Sequence, residues 1–429
     1  MTRAKPAVAV AVHDGFYGCG TGAGASNHAF LRALCDLLSR DVQLTVIPVE
    51  LAPDSPEYDA DWHASSLELV TRAGAKVVPV GNGTAGATRF GGLGNFRHAS
   101  ASAAQAITAA LGQAPRSLAV AFDAPFFGLA PLLPDRHAEN TVIVARATAA
   151  LHAPGDHERI AWERDGLSAL AASGGHVAAT SRHIREHLTR AYAIPDESIT
   201  DLTNGLAPGE IPARPARGRE LPPPAAGRGF LLAYGRAEPY KGFDDLLDAL
   251  PIAGQTGIQV PHLVLGAVTD EARGYGTSRP EATSYQRHLA DRIEREDLDV
   301  TLRTRFDPRF RELLAHPALA AVIVPSREEP FGRIPLEAYQ AGASPVVATT
   351  AGGLAEIVTE GHTGFTADPG DPPSLAAAVL RALTASPAQR RRLLAQGRSI
   401  SAARFDYPAN IRSFLEARAP WALRADQSA

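Results

Sequence analysis

Lysine is scarce in this sequence: Lys5, Lys76 and Lys241 are the only three, and every other cationic side chain at neutral pH is an arginine. A lysine in a loop is therefore not a casual surface charge here, and Lys241 becomes a candidate for a specific contact. Cysteine is scarcer still. Two residues, Cys19 and Cys35, cannot make a disulfide framework, and with no secretory context they read as small reduced hydrophobes. No Cys/His ligand spacing is present, and Asp368 and Asp371 fall in a proline-rich turn, so neither a metal nor another cofactor is expected. A net charge of -4 offers no general attraction to nucleic acid or to anionic lipid, so any phosphate has to be held by local groups. No apolar run reaches the roughly 18 residues of a membrane span, and Met1 to Val12 lacks the apolar core and cleavage site of a signal peptide. The expected location is the cytoplasm. Composition leaves monomer and homodimer equally open.

Glycine and proline are abundant, 38 and 33 residues, in a chain that is 45% hydrophobic and 21% charged. That balance reads as globular and turn-rich, and 429 residues predict two or three domains. Short apolar runs alternate with helical patterns. Strands are expected at Ala7 to Val12, Leu44 to Val49, Lys76 to Val80, Ser117 to Phe122, Thr141 to Ala145 and Val177 to Thr180, with helices such as Asn27 to Leu38 and Ala101 to Leu111 between them. This rhythm predicts an α/β fold with a doubly wound parallel sheet and ligands at the carboxyl ends of its strands. Prolines and arginines break the pattern over 207–228, a linker. Alternation restarts at Phe230 to Tyr234 and continues through His262 to Leu265, Val300 to Arg303, Leu319 to Val324 and Pro345 to Ala348. The expected organisation is a first Rossmann-like domain over 1–206, a second over 229–400, and a final segment over 401–429.

The most informative stretch runs from Ser326 to Gly342, behind the apolar strand Leu319 to Val324. Pro335 suits the first turn of a helix beginning near Gly332 or Arg333, which leaves the amides of Phe331, Gly332, Arg333 and Ile334 as an anion site. Glu329 precedes those amides, and Glu337 follows about one turn into the helix. Donors flanked by two acceptors are what a sugar nucleotide requires: amides for the diphosphate, carboxylates for hydroxyls of sugar and ribose. In the run Tyr234 to Gly242, Arg236 and Lys241 follow the first strand of the second half. An ammonium gives a point contact to a diphosphate and a guanidinium a fork.

A glycine-rich run, His13 to Asn27, follows the first strand. Gly20, Gly22 and Ala25 formally match a dinucleotide fingerprint, with Glu50 as a ribose acid. In such sites the strand runs directly into the glycines, whereas here a loop separates Val12 from Gly20, so a ligand-facing loop is the preferred reading. His13, Asp123, Arg146 and His152 lie at or just after expected strand ends. Asn27, Arg97, His98, Asp123 and Arg146 are the acceptor candidates.

Glu329 and Glu337 within E-P-F-G-R-I-P-L-E-A, followed by Ala341 and Gly342, closely resemble the donor site of retaining family 4 glycosyltransferases of the GT-B fold. G-R-x4-K-G at Arg236 and Lys241, Gly352-Gly353 with Glu356, and Asn204-Gly205 agree with that resemblance. It implies two Rossmann-like domains facing a central cleft, a nucleoside diphosphate sugar as donor, and transfer with retention and without a metal. By resemblance Glu329 contacts the transferred sugar, Glu337 the ribose, and Arg236 and Lys241 the leaving diphosphate. Gly22 or Gly24 corresponds to the family's glycine loop, and His152, with Arg146 close behind, to its histidine near the sugar. The final segment, Ile411 to Ala417, resembles the family's terminal helix, which returns to the first domain. The expected activity is sugar transfer to a small polar acceptor, with natural-product biosynthesis inferred from the arginine-rich composition. A sugar-nucleotide epimerase or hydrolase of the same fold and an NAD-dependent oxidoreductase are the alternatives.

Overall fold

Alternation of side chains along the strands decides how each sheet is covered. In the first sheet, Ala7, Ala9 and Ala11 point to one face and Val8, Val10 and Val12 to the other, all buried. The alanine face lies in the same core as Phe96, Ala99, Ala103 and Ile107 of the Leu93–Leu111 helix. Small residues there allow close helix approach, and strands buried on both faces read as continuous apolar runs. The computed structural model describes residues 4–19, 21–211, 229–268, 279–305, 309–343 and 345–424. Most of the expected linker 207–228 lies outside these, as does Gly20.

Seven parallel strands form the first sheet: β1 (Ala7–Val12), β2 (Gln43–Pro48), β3 (Lys76–Val77), β4 (Ser117–Phe122), β5 (Thr141–Ala145), β6 (His176–Ala179) and β7 (Ile199–Asp201), in the order β3-β2-β1-β4-β5-β6-β7. Six form the second: β8 (Phe230–Arg236), β9 (His262–Val268), β10 (Val300–Arg303), β11 (Leu319–Val324), β12 (Val346–Thr349) and β13 (Phe365–Ala367), ordered β10-β9-β8-β11-β12-β13. Both orders reverse direction beside their first strand, at β1/β4 and β8/β11. Such switch points are where open α/β sheets bind ligands.

The chain divides into one unit of residues 1–204 with 407–429 and another of 205–406. The last helix, Tyr407–Arg418, places Tyr407, Ile411, Phe414 and Leu415 in the core with Val8, Val10 and Leu118. Four local expectations change, the first being the helix expected over Ala101 to Leu111, which already starts at Leu93. The helix expected from Asn27 starts at Gly22, because the Thr21 side chain caps it by accepting from the Gly24 amide at 3.0 Å. The expected third strand shrinks to Lys76–Val77, with Val80 joined to Val49 by an isolated bridge. β7 and β13 were not anticipated, being three-residue edge strands with no periodicity to read.

Candidate functional site

In the second unit, β8 and β11 are sheet neighbours, so the loops leaving their carboxyl ends meet. Lys241 Nζ stands 2.6 Å from Glu329 Oε2, which also accepts from Ser326 Oγ at 3.2 Å. Backbone and side-chain ties hold the loops together: the Arg327 amide donates to the Tyr240 carbonyl at 2.7 Å, and Arg327 Nε reaches buried Asp245 at 2.7 Å. Gly242 adopts φ +68° with its Cα facing the Pro325 carbonyl, a place with no room for a Cβ. Arg236 donates to the Tyr240 hydroxyl, lies 3.1 Å from Glu238, and has its guanidinium 5.7 Å from the Tyr240 ring centroid. Lys241 Nζ is 5.2 Å from the same centroid. Burial works against the Arg236 charge, but Tyr240, Glu238 and Glu329 more than offset it and hold the group above its ordinary pKa.

The helix over Arg333–Ala341 has Gly332 at its N-cap with φ +93°, so the first-turn amides of Arg333 and Ile334 have no acceptor within the helix. Phe331 stands just before it, its ring buried edge-on against Phe405 with centroids 5.6 Å apart. The Arg333 side chain donates to the Gly205 carbonyl at 2.9 Å and to Glu210. Glu337 is buried. It accepts from the Tyr234 hydroxyl at 2.7 Å and from Arg311 Nη2 at 3.3 Å, with Arg333 Nε at 3.7 Å. Burial and the adjacent Glu337 charge push the Tyr234 hydroxyl well above its usual pKa, so it remains a donor. Tyr234, Arg311 and Ser326 were missed as members of this site. Tyr234 and Ser326 stand inside the quoted motifs, but nothing in the sequence pairs position 311 with 337.

Gly353 backs the Glu329 loop, its amide donating to the Glu329 carbonyl at 2.8 Å. A Cβ there would lie 2.7 Å from the Pro330 carbonyl oxygen and 2.5 Å from Phe331 Cα. Gly353→Ala is expected to destabilise the protein by about 1–3 kcal/mol, read as a lowered Tm. An unchanged Tm would mean that the loop yields freely.

In the first unit, side chains gather where β1, β4 and β5 end and the Gly22–Leu37 helix begins. Arg146, the residue after β5, donates to the Ala23 carbonyl at 2.7 Å and to Asn27 Oδ1. Its Nε lies 3.8 Å from Asp123, and His13 Nδ1 lies 3.9 Å from Asp123 on the other side. His13 Nδ1 is 3.3 Å from the Phe122 carbonyl, so it carries the proton and Nε2 is the acceptor nitrogen. Burial lowers the His13 pKa against the opposing pull of Asp123 and Asp14, keeping the ring neutral. Arg89, absent from the expected set, is fully buried against Asp14, Glu57 and the Gly18 carbonyl. Gly24 is the close-approach glycine, since a Cβ would stand 2.6 Å from the Asp14 carboxylate. Gly22 is exposed in the same first turn.

The other acceptor candidates are not drawn in. Arg97 is exposed and pairs with Glu158 at 2.9 Å, and His98 is exposed one residue further along the same helix. His152 is half-buried at the end of the short helix Ala149–His152, beyond the position from which Arg146 enters the cluster. Because β1 ends at Val12 and the helix begins at Gly22, the direct strand-to-helix glycine turn of a dinucleotide site does not form. Among the described residues, no group of three or more His, Cys, Asp or Glu side chains is gathered to hold a metal. No described helix is long and apolar enough to cross a membrane.

Residues 220–399 match the family model described as glycosyl transferases group 1. The match lies within the second unit and covers less than half of the chain. A glycogen synthase of Mycobacterium tuberculosis is 34% identical over 220 residues, covering 49% of this chain and 46% of its own. A D-inositol 3-phosphate glycosyltransferase of Thermomonospora curvata is 36% identical over 169 residues, covering 39% of this chain and 37% of its own. The chain thus spans less than half the length of either relative. Among solved structures, sucrose-phosphate synthase from Thermosynechococcus elongatus superposes with TM-score 0.72 at 20% identity, covering 97% of this chain and 99% of that one. Anabaena HepE in complex with UDP and glucose gives 0.65 at 20% identity, covering 96% and 98%. The two parallel-sheet units of the chain have the GT-B fold.

Proposed function

We propose that this protein transfers a sugar from a nucleoside diphosphate to a small polar acceptor, with retention at the anomeric carbon. The observation that carries the reading is the Lys241–Glu329 pair at 2.6 Å, on neighbouring strand ends beside the start of the Arg333–Ala341 helix. Lys241 and Arg236 stabilise the charge that grows on the departing diphosphate, and the helix amides of Gly332 to Ile334 receive its oxygens. Glu329 accepts from hydroxyls of the transferred sugar. Glu337, held by Tyr234, accepts from the ribose. His13, Asn27, Asp123 and Arg146 in the first unit serve the acceptor. A place in natural-product biosynthesis rests on the arginine-rich composition alone.

The test is incubation with a panel of nucleoside diphosphate sugars and a pool of small polyols, with products read by mass spectrometry and anomeric configuration by NMR. A glycosylated product of retained configuration is expected. Release of free nucleoside diphosphate with no glycosylated product points instead to a hydrolase or epimerase. Two side-chain cations take the role that a divalent ion fills elsewhere, so activity is expected to survive EDTA. A tenfold loss restored by magnesium would refute this account.

A further inference from the structure

Asp123 occupies a conformation that demands a reason. Its backbone has φ +73° and ψ −179°, a region essentially reserved for glycine. The residue is 7% exposed, yet neither carboxylate oxygen has a hydrogen-bond partner. The nearest nitrogens, on Arg146 and His13, stand at 3.8 and 3.9 Å, beyond hydrogen-bond reach. A buried carboxylate with both oxygens open is costly unless donors arrive, and strain together with such an orphan marks a group kept for a ligand.

The surroundings say what kind of ligand. Arg89 is engaged by Asp14, Glu57 and the Gly18 carbonyl, and Arg146 donates to Asn27 and the Ala23 carbonyl, while its Nε, without a hydrogen-bond partner, faces Asp123 at 3.8 Å and sets its charge against that carboxylate. His13 has committed its proton to the Phe122 carbonyl. On Asp123, with both oxygens open, and on His13 Nε2 the cluster leaves acceptor capacity for a ligand. A phosphate, itself an anion and an acceptor, would meet the like charge of Asp123 there and could not satisfy its open oxygens.

We propose that the acceptor is an unphosphorylated polyol, hydroxyl-bearing or amino-bearing, recognised through donation of its O–H or N–H groups to Asp123. This rests on the transferase reading above, and it separates the protein from relatives whose name specifies D-inositol 3-phosphate. The experiment offers matched pairs with a panel of nucleoside diphosphate sugars: myo-inositol, glucose, fructose and glucosamine, each beside its own monophosphate, with products quantified by mass spectrometry. Unphosphorylated members are expected to react at least tenfold faster than their phosphates, and Asp123→Asn, which keeps the shape and removes the charge, to lower that rate at least tenfold. Equal or faster reaction of a monophosphate, or an Asp123→Asn variant as active as the parent, overturns the inference and leaves the transferase reading intact. Free nucleoside diphosphate without any glycosylated product overturns the transferase reading itself. Asp123→Gly supplies a readout independent of substrate: relief of the strained backbone is expected to raise Tm by about 2–4 °C while transfer is lost. A lower Tm would mean that Asp123 is there for stability.

Discussion

Replacing Lys241 by alanine is expected to lower turnover by roughly 10² or more, with a much smaller effect on donor binding. Charge on the diphosphate is greater in the transition state than in the ground state, so an ammonium aimed at the leaving group acts mainly on the barrier. The pairing of Lys241 with Glu329 at 2.6 Å adds a second expectation. Both side chains are about 15% exposed, 15% and 14%, and removing one leaves the other's charge poorly compensated in a sparsely hydrated place. The double variant Lys241→Ala/Glu329→Gln should therefore cost less than the product of the two single losses. Lys241→Arg keeps the charge but exchanges a compact ammonium for a planar fork, and should recover only part of the rate. Steady-state kinetics on the four variants beside the wild type decides it. Wild-type turnover in Lys241→Ala would remove this residue from the proposed chemistry.

The sequence pattern reaches far into this fold and then stops at identifiable places. Runs rich in Val and Ala mark β1, β4 and β5, because strands buried on both faces leave an unbroken apolar signature. β13, Phe365 to Ala367, leaves none. The motif stretches place Lys241 and Glu329 just after β8 and β11, but that these strands are neighbours is a fact of sheet order. The helix start at Gly22 was hidden because glycines lower local helix propensity, while a tertiary cap from Thr21, itself donating to Asp14 at 2.6 Å, overrides it. Asp123 shows the boundary most sharply. Its place at the end of a strand is readable from the letters, whereas its positive φ and its open carboxylate exist only in the folded backbone.

Glu329 and Glu337 are expected to fail in different ways when each becomes glutamine. Glu337 is buried, and its carboxylate accepts from Tyr234 at 2.7 Å and lies within reach of Arg311 and Arg333. Glutamine preserves size and one acceptor oxygen but loses the charge that those guanidinium groups answer and that strengthens an accepted ribose hydroxyl. Affinity for the free nucleoside diphosphate should fall by about 1–3 kcal/mol, roughly 5- to 150-fold. Glu329 is different: it holds Lys241, and its loop precedes the helix start proposed to take the diphosphate. Making it neutral frees Lys241 for the diphosphate, so binding of the free nucleotide should stay nearly unchanged while turnover drops for want of a sugar contact. Calorimetric titration of both variants with nucleoside diphosphate, beside their turnover numbers, separates these outcomes. Equal weakening in both, or weakening in Glu329→Gln alone, would mean that the two carboxylates share their roles or hold them in reverse.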